Sequence, residues 1–148
     1  MLEEHAHLPL VKEIVEADNY QPAVCDQAFR RLVTSAYDHR CALCGIRIVT
    51  PDGRTVVEAA HIVPWSKSKN DDIRNGMALC RTCNWGFDEG MLGVSDNYTV
   101  ITARTIGIDP NFPGLLAMLS GRGIIPPAEQ DLWPACDYLA EHRRAWRL

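Results

Sequence analysis

The chain has 148 residues, 47% hydrophobic and 23% charged, with a formal net charge of −4. That length holds one domain with room for its own core, and that composition excludes a disordered chain, a coiled coil and a fibre. No apolar run approaches the roughly 20 residues of a membrane span, and Met1-Leu2-Glu3-Glu4-His5 is acidic with no secretory h-region, so a soluble, cytoplasmic domain with no membrane partner is expected.

Residues 1–25 read as an N-terminal extension or linker, in which Leu8, Leu10, Val11, Ile14 and Val15 suggest a short amphipathic helix ending near Asn19 and Pro22. Asp26 is a fair N-cap for a helix running to about Tyr37, with Phe29, Leu32, Val33 and Ala36 on one face. Ile46-Arg47-Ile48-Val49, then Pro51-Asp52-Gly53, then Thr55-Val56-Val57 reads as a hairpin. Its second strand continues into Ala59-Ala60-His61 and stops at Pro64, and Trp65 to Arg74 is a polar loop. Gly76 to Leu79 is a short strand, Cys83 to about Glu89 a helix closed by Gly90, and Met91 to Ile101 a second hairpin turning at Ser95-Asp96-Asn97. Two helical pieces follow, about Pro113 to Leu119 and about Pro134 to Trp146, separated by Pro126-Pro127.

Four of the six cysteines form two pairs of identical spacing, Cys41-x-x-Cys44 and Cys80-x-x-Cys83. Each pair sets two thiols on one tight turn, and two such turns complete a tetrahedron around a zinc ion. A redox CxxC and buried free thiols are the alternatives, but a redox pair does not account for there being two. Cys25 and Cys136 are isolated and read as core cysteines at helical positions. Between Arg30 and Arg81, nine Lys and Arg meet five Asp and Glu, whereas the rest of the chain holds six against fourteen. The basic middle therefore coincides with the paired cysteines.

Inside the cysteine pairs lie His61 at a strand end, Asn75 in the turn before the next strand, and Asn84 at the opening of the helix. Singly, each has a plain structural reading: a buried histidine, a turn asparagine before Gly76, and a helix N-cap. Together, Glu58-Ala59-Ala60-His61-Ile62-Val63-Pro64, Arg74-Asn75-Gly76-Met77-Ala78-Leu79-Cys80 and Cys83-Asn84-Trp85-Gly86-Phe87-Asp88-Glu89-Gly90 resemble the HNH endonucleases, and more narrowly the bacterial HNH domains of restriction and modification-dependent nucleases. Ala36-Tyr37-Asp38-His39-Arg40-Cys41 and the stretch from Trp133-Pro134 to His142-Arg143 are similar as well, so the resemblance covers residues 26–148.

The resemblance implies an α+β fold: a zinc-stapled ββα-metal (His-Me finger) core with flanking N- and C-terminal helices, the latter forming a cap. It implies a metal-dependent DNA endonuclease, the cleavage domain of a restriction-type or defence system, associated with or fused to a separate recognition domain and acting as a homodimer where two cuts are made. Cys41, Cys44, Cys80 and Cys83 would hold structural Zn²⁺. His61 would be the general base, since an imidazole accepts a proton from water near neutral pH. Asn75 would hold the loop and orient His61. Asn84 and Asp88, at i and i+4 on one helix face, would offer oxygens to Mg²⁺ or Mn²⁺, with Asn84 the stronger candidate by family analogy. Lys67, Lys69 and Arg74 would meet DNA phosphates, with Trp65 beside them, while Trp85 and Phe87 read as core aromatics.

Two positions depart from the family pattern. Asn84 stands where a histidine is usual, and Ala60 where many members carry a ligand. Asn84 leaves open a second function, a catalytically impaired zinc module that binds DNA or protein. Asp88 also has an alternative partner in Arg81. A zinc deaminase is excluded, because Val63 stands where its His-x-Glu motif needs glutamate and Leu79 where its Pro-Cys-x-x-Cys motif needs proline.

Overall fold

The computed structural model describes residues 21–108 and 114–148. The helix proposed within residues 1–22 lies almost wholly outside them. The first helix, α1, is Gln21–Ala36, so it starts before Asp26. Asp26 is not its cap. It lies inside the helix and pairs with Arg30 one turn on, at 3.0 Å. Pro22 falls in the first turn, where its missing N–H leaves no helical bond unmade. Phe29, Val33 and Tyr37 recur every four residues and are buried, whereas Leu32 is 58% exposed and lies off this stripe.

After Asp38 and His39, both at positive φ, the chain enters the first cysteine turn, where Gly45 takes φ +83°. The expected hairpin is present as isolated bridges, Arg40 to Arg47 and Val49 to Thr55, closed by a turn in which Gly53 N–H donates to Thr50 O. It feeds β1 (Val57–His61), which pairs antiparallel with β2 (Gly76–Cys80), setting His61 opposite Gly76 and Val57 opposite Cys80. The connection is not a plain loop. It holds a one-turn helix, α2 (Trp65–Ser68), and a 3₁₀ turn (Ile73–Asn75) capped by the Asp72 carboxylate on Arg74 N–H. Pieces this short carry no hydrophobic period, so they escape a reading by pattern.

β2 is buried at all five positions and passes directly into α3 (Arg81–Asp88), completing a ββα unit. β3 (Leu92–Val94) and β4 (Val100–Thr102) form the second hairpin, followed by α4 (Arg104–Ile108) and α5 (Leu115–Met118). The last helix, α6 (Cys136–Trp146), lays Leu139 and His142 inward and packs on β3. Arg143 ties this cap to the hairpin, donating to Val94 O at 2.7 Å and to Asp96 at 2.8 Å. The architecture is α+β, as expected.

One core threads these elements, from Phe29, Val33 and Tyr37 through Ile62, Met77, Leu79 and Phe87 to Leu92, Leu119 and Leu139. Trp85 does not belong to it. The side chain is 59% exposed, while Phe87 is fully buried. Cys136 also departs from the expected core position: it is half-buried at the start of α6, beside the Tyr98 hydroxyl at 3.5 Å. The Cys25 side chain lies outside what the structure describes.

Candidate active site and metal centre

The two CxxC turns converge. Cys41, Cys44, Cys80 and Cys83 place their sulfurs within 4.8 Å of one another, and Cys44 and Cys80 are 3.7 Å apart. Four sulfurs at about 2.3 Å from a central ion define a tetrahedron with edges of about 3.8 Å, so the spacing fits a tetrahedral thiolate site. The thiols also compete for charge. A hydrogen bond from Cys83 holds the Cys41 thiol down at about 4, and that interaction, followed by burial, pushes Cys83 far upward. Burial pushes Cys44 up to about 12. Four thiolates this close would repel one another, and a dication bound among them would relieve that repulsion.

His61 ends β1 with its ring stacked on Phe29 of α1, centroids 4.0 Å apart and planes 7° apart. Its Nε2 lies 3.1 Å from Asp71 Oδ1. A carboxylate accepts and cannot donate, so Nε2 carries the hydrogen and Nδ1 keeps the free lone pair. Asp71 is a residue the sequence reading passed over within the polar loop.

Asn75 is wholly buried and fully used. Its Oδ1 accepts from Val63 N–H at 2.9 Å, and its Nδ2 donates to Val63 O and Asn70 O, both at 3.1 Å. Its own carbonyl accepts from Ile62 N–H. The amide thus clamps both ends of the connection that begins at His61.

Asn84 is the fourth residue of α3 and not its cap. Its Nδ2 donates to Glu58 Oε2 at 3.1 Å, while its Oδ1 is buried without a hydrogen-bond partner among the described residues. An unpaired buried carbonyl oxygen is costly by about 1–3 kcal/mol, and a cation would satisfy it. Asp88, one turn further on, is pushed upward by burial and then by the charges of Glu89 and Glu58. Arg81 pairs with Glu58 at 3.4 Å rather than with Asp88.

These groups meet in one cleft of about 280 Å³, lined by His61, Asn84 and Asp88 with Pro64, Trp65, Ala59 and Ala60. A larger cavity of about 530 Å³ adjoins it at Pro64 and Asp88 and is lined by Lys67, Arg144 and Trp146 among others. Lys67 and Lys69 are exposed on and just after α2, and Arg74 donates to Trp133 O at 3.1 Å. None of these three lines the His61 cleft.

His61 on the first strand of the ββα unit and Asn84 on its helix line one cleft, and the two CxxC turns bring four sulfurs together. Residues 41–95 match the family model for HNH endonucleases. A solved structure described as a modification-dependent TagI restriction endonuclease has a similar fold, with a TM-score of 0.58 and 24% identity over 80% of this chain. The match spans 37% of that chain's length. No curated protein matches. Among the described residues no helix is long and apolar enough to cross a membrane.

Proposed function

We propose that this chain hydrolyses phosphodiester bonds in DNA, as the metal-dependent cleavage module of a restriction-type nuclease. The observation that carries the reading is the shared cleft, where His61, Asn84 and Asp88 stand together within the segment that matches the HNH endonucleases. His61 takes a proton from the attacking water at Nδ1, and the resulting imidazolium is stabilised by Asp71 across the 3.1 Å contact. Phe29 and Asp71 hold the ring, and Asn75 holds the chain that follows it. Asn84 and Asp88 would hold Mg²⁺ or Mn²⁺, which supplies Lewis-acid stabilisation of the phosphoryl oxygens and the 3′ leaving group. Lys67, Lys69 and Arg74 would meet backbone phosphates outside the cleft.

The four cysteines hold Zn²⁺, which shapes the fold and takes no part in the chemistry. The reducing cytoplasm, where thiols stay free to bind metal, is the compartment that suits them. Recognition of the target falls to a separate domain or partner, in keeping with the 37% coverage of the larger restriction endonuclease, and paired cuts fall to a homodimer.

Nicking of supercoiled plasmid across a Mg²⁺ and Mn²⁺ titration tests this. The parent is expected to nick, and Asn84→Ala to need more metal. An inert parent that gains activity as Asn84→His would instead identify an impaired module. Equal activity in all three would move the metal to other ligands.

A further inference from the structure

Glu58 lies two residues before Ala60 on β1, paired across the strands with Leu79, and its carboxylate reaches the exposed face of α3. There it meets Arg81 and Asn84, which are three residues apart and hence on one helix face. Oε1 lies 3.4 Å from Arg81 Nε, and Oε2 accepts from Asn84 Nδ2 at 3.1 Å.

An asparagine amide has two ends of nearly equal size, one a donor and one an acceptor, and only the oxygen can bind a cation. A histidine at position 84 would not share this ambiguity. The neighbour of Asn84 therefore decides whether it can act as a ligand. A carboxylate accepts hydrogen bonds only, so Glu58 selects the nitrogen end and leaves Oδ1 buried and unpartnered among the described residues, on a residue that lines the His61 cleft.

We propose that Glu58 is a positioning residue that fixes the Asn84 amide with its oxygen available to the catalytic cation, a role that rests on the reading of Asn84 as a ligand. Arg81 steadies the carboxylate from its other oxygen. The arrangement is the oxygen-ligand counterpart of the hydrogen bond that orients a metal-binding histidine.

The test uses the full chain with its zinc in place and no DNA. Mn²⁺ is the probe, since it ranks below zinc for thiolate sites and leaves the cysteine cluster alone. Free Mn²⁺ is counted by electron paramagnetic resonance for the parent, Glu58→Ala, Glu58→Gln, Asn84→Ala and the Glu58→Ala/Asn84→Ala double variant. Zinc content and thermal unfolding certify each fold.

Glu58→Ala and Asn84→Ala should each weaken Mn²⁺ binding roughly tenfold or more. The double variant should be no weaker than either single one, because both remove the same ligand oxygen. Glu58→Gln should weaken binding as well, since Arg81 takes its oxygen and its amide nitrogen then draws Asn84 Oδ1 away from the cation. The Asn84 side-chain amide resonances give a second readout, broadened by Mn²⁺ in the parent but in neither Glu58 variant. Parent-like binding by Glu58→Ala alongside a defective Asn84→Ala would overturn the positioning role and leave the ligand reading intact. A Glu58→Gln that binds Mn²⁺ like the parent would overturn it too, by showing that an acceptor-only neighbour is not what sets the amide. Parent-like binding by Asn84→Ala would remove the ligand reading itself, and the proposal with it.

Discussion

At residue scale, His61 is fixed from two directions by unlike forces. Phe29 offers a face-to-face stack, and Asp71 a hydrogen-bond acceptor that pins the ring's hydrogen at Nε2. Removing the imidazole removes the proposed base, so His61→Ala should lower single-turnover nicking by ~10²–10⁴-fold with zinc content and fold unchanged. Removing Asp71 leaves the base present but its tautomer unset, and Asp71→Ala should lower kcat by roughly 10–100-fold with little change in KM. Nicking by His61→Ala near the parental rate would refute the mechanism. His61 was legible in the sequence because it falls at a strand end between two cysteine pairs. Asp71 was not, because it is indistinguishable in the sequence from Asp72. The fold sets one against His61 and uses the other to cap the 3₁₀ turn before β2. The contact of Glu58 with Asn84 was hidden for a different reason, since the two residues lie 26 positions apart.

At the scale of elements, the connection from β1 to β2 depends on Asn75 and Gly76. Asn75 satisfies Val63 N–H, Val63 O and Asn70 O with one side chain. Asn75→Ala strands these groups, and at about 1–3 kcal/mol for each buried group left unpaired, urea unfolding should show a loss of several kcal/mol. Gly76 matters for space rather than conformation, since its φ of −128° suits any residue. A Cβ there would lie 2.6 Å from Val33 and 2.8 Å from Phe29. Gly76→Ala should therefore destabilise by about 1–3 kcal/mol and also slow nicking, because Phe29 is the ring that carries His61. Hairpin strands were legible from period-two alternation and Pro-Asp-Gly or Ser-Asp-Asn turns. The start of α1 was misplaced because Asp26, a good cap by type, is here an intrahelical partner for Arg30. Trp85 was misread because an aromatic beside a CxxC pair gives no sign of which helix face it occupies.

At the scale of the molecule, the four-thiol centre joins the first hairpin to the strand–helix junction of the ββα unit, bringing together Cys44 and Cys80 from positions 36 residues apart. Structural zinc sites contribute on the order of 10 kcal/mol of apparent binding energy, which exceeds half of a typical domain's stability. A strong chelator, or Cys83→Ala, should abolish the cooperative thermal transition, and folded protein without zinc would sink this assignment. The C-terminal cap depends on a different contact. His142 is buried, stacks on Phe87 with centroids 3.6 Å apart, and donates from Nε2 to Phe87 O at 2.8 Å. Burial lowers its proton affinity below that of an ordinary histidine, and the Arg143 charge adds to this against the pull of the Phe87 carbonyl. The folded state therefore favours the neutral ring, while the unfolded chain protonates first on acidification. Stability linked to His142 is fully present above about pH 6.5 and is lost as pH falls from there through the lower folded value. His142→Phe keeps an aromatic ring against Phe87 but cannot titrate. The variant should start less stable at pH 7.5, having lost the hydrogen bond, yet lose less further stability by pH 5.5 than the parent. Protonation at the four-cysteine centre acts on both proteins alike, so the difference between their urea midpoints isolates His142. Parallel declines in the two would show that the cap is indifferent to this histidine's charge.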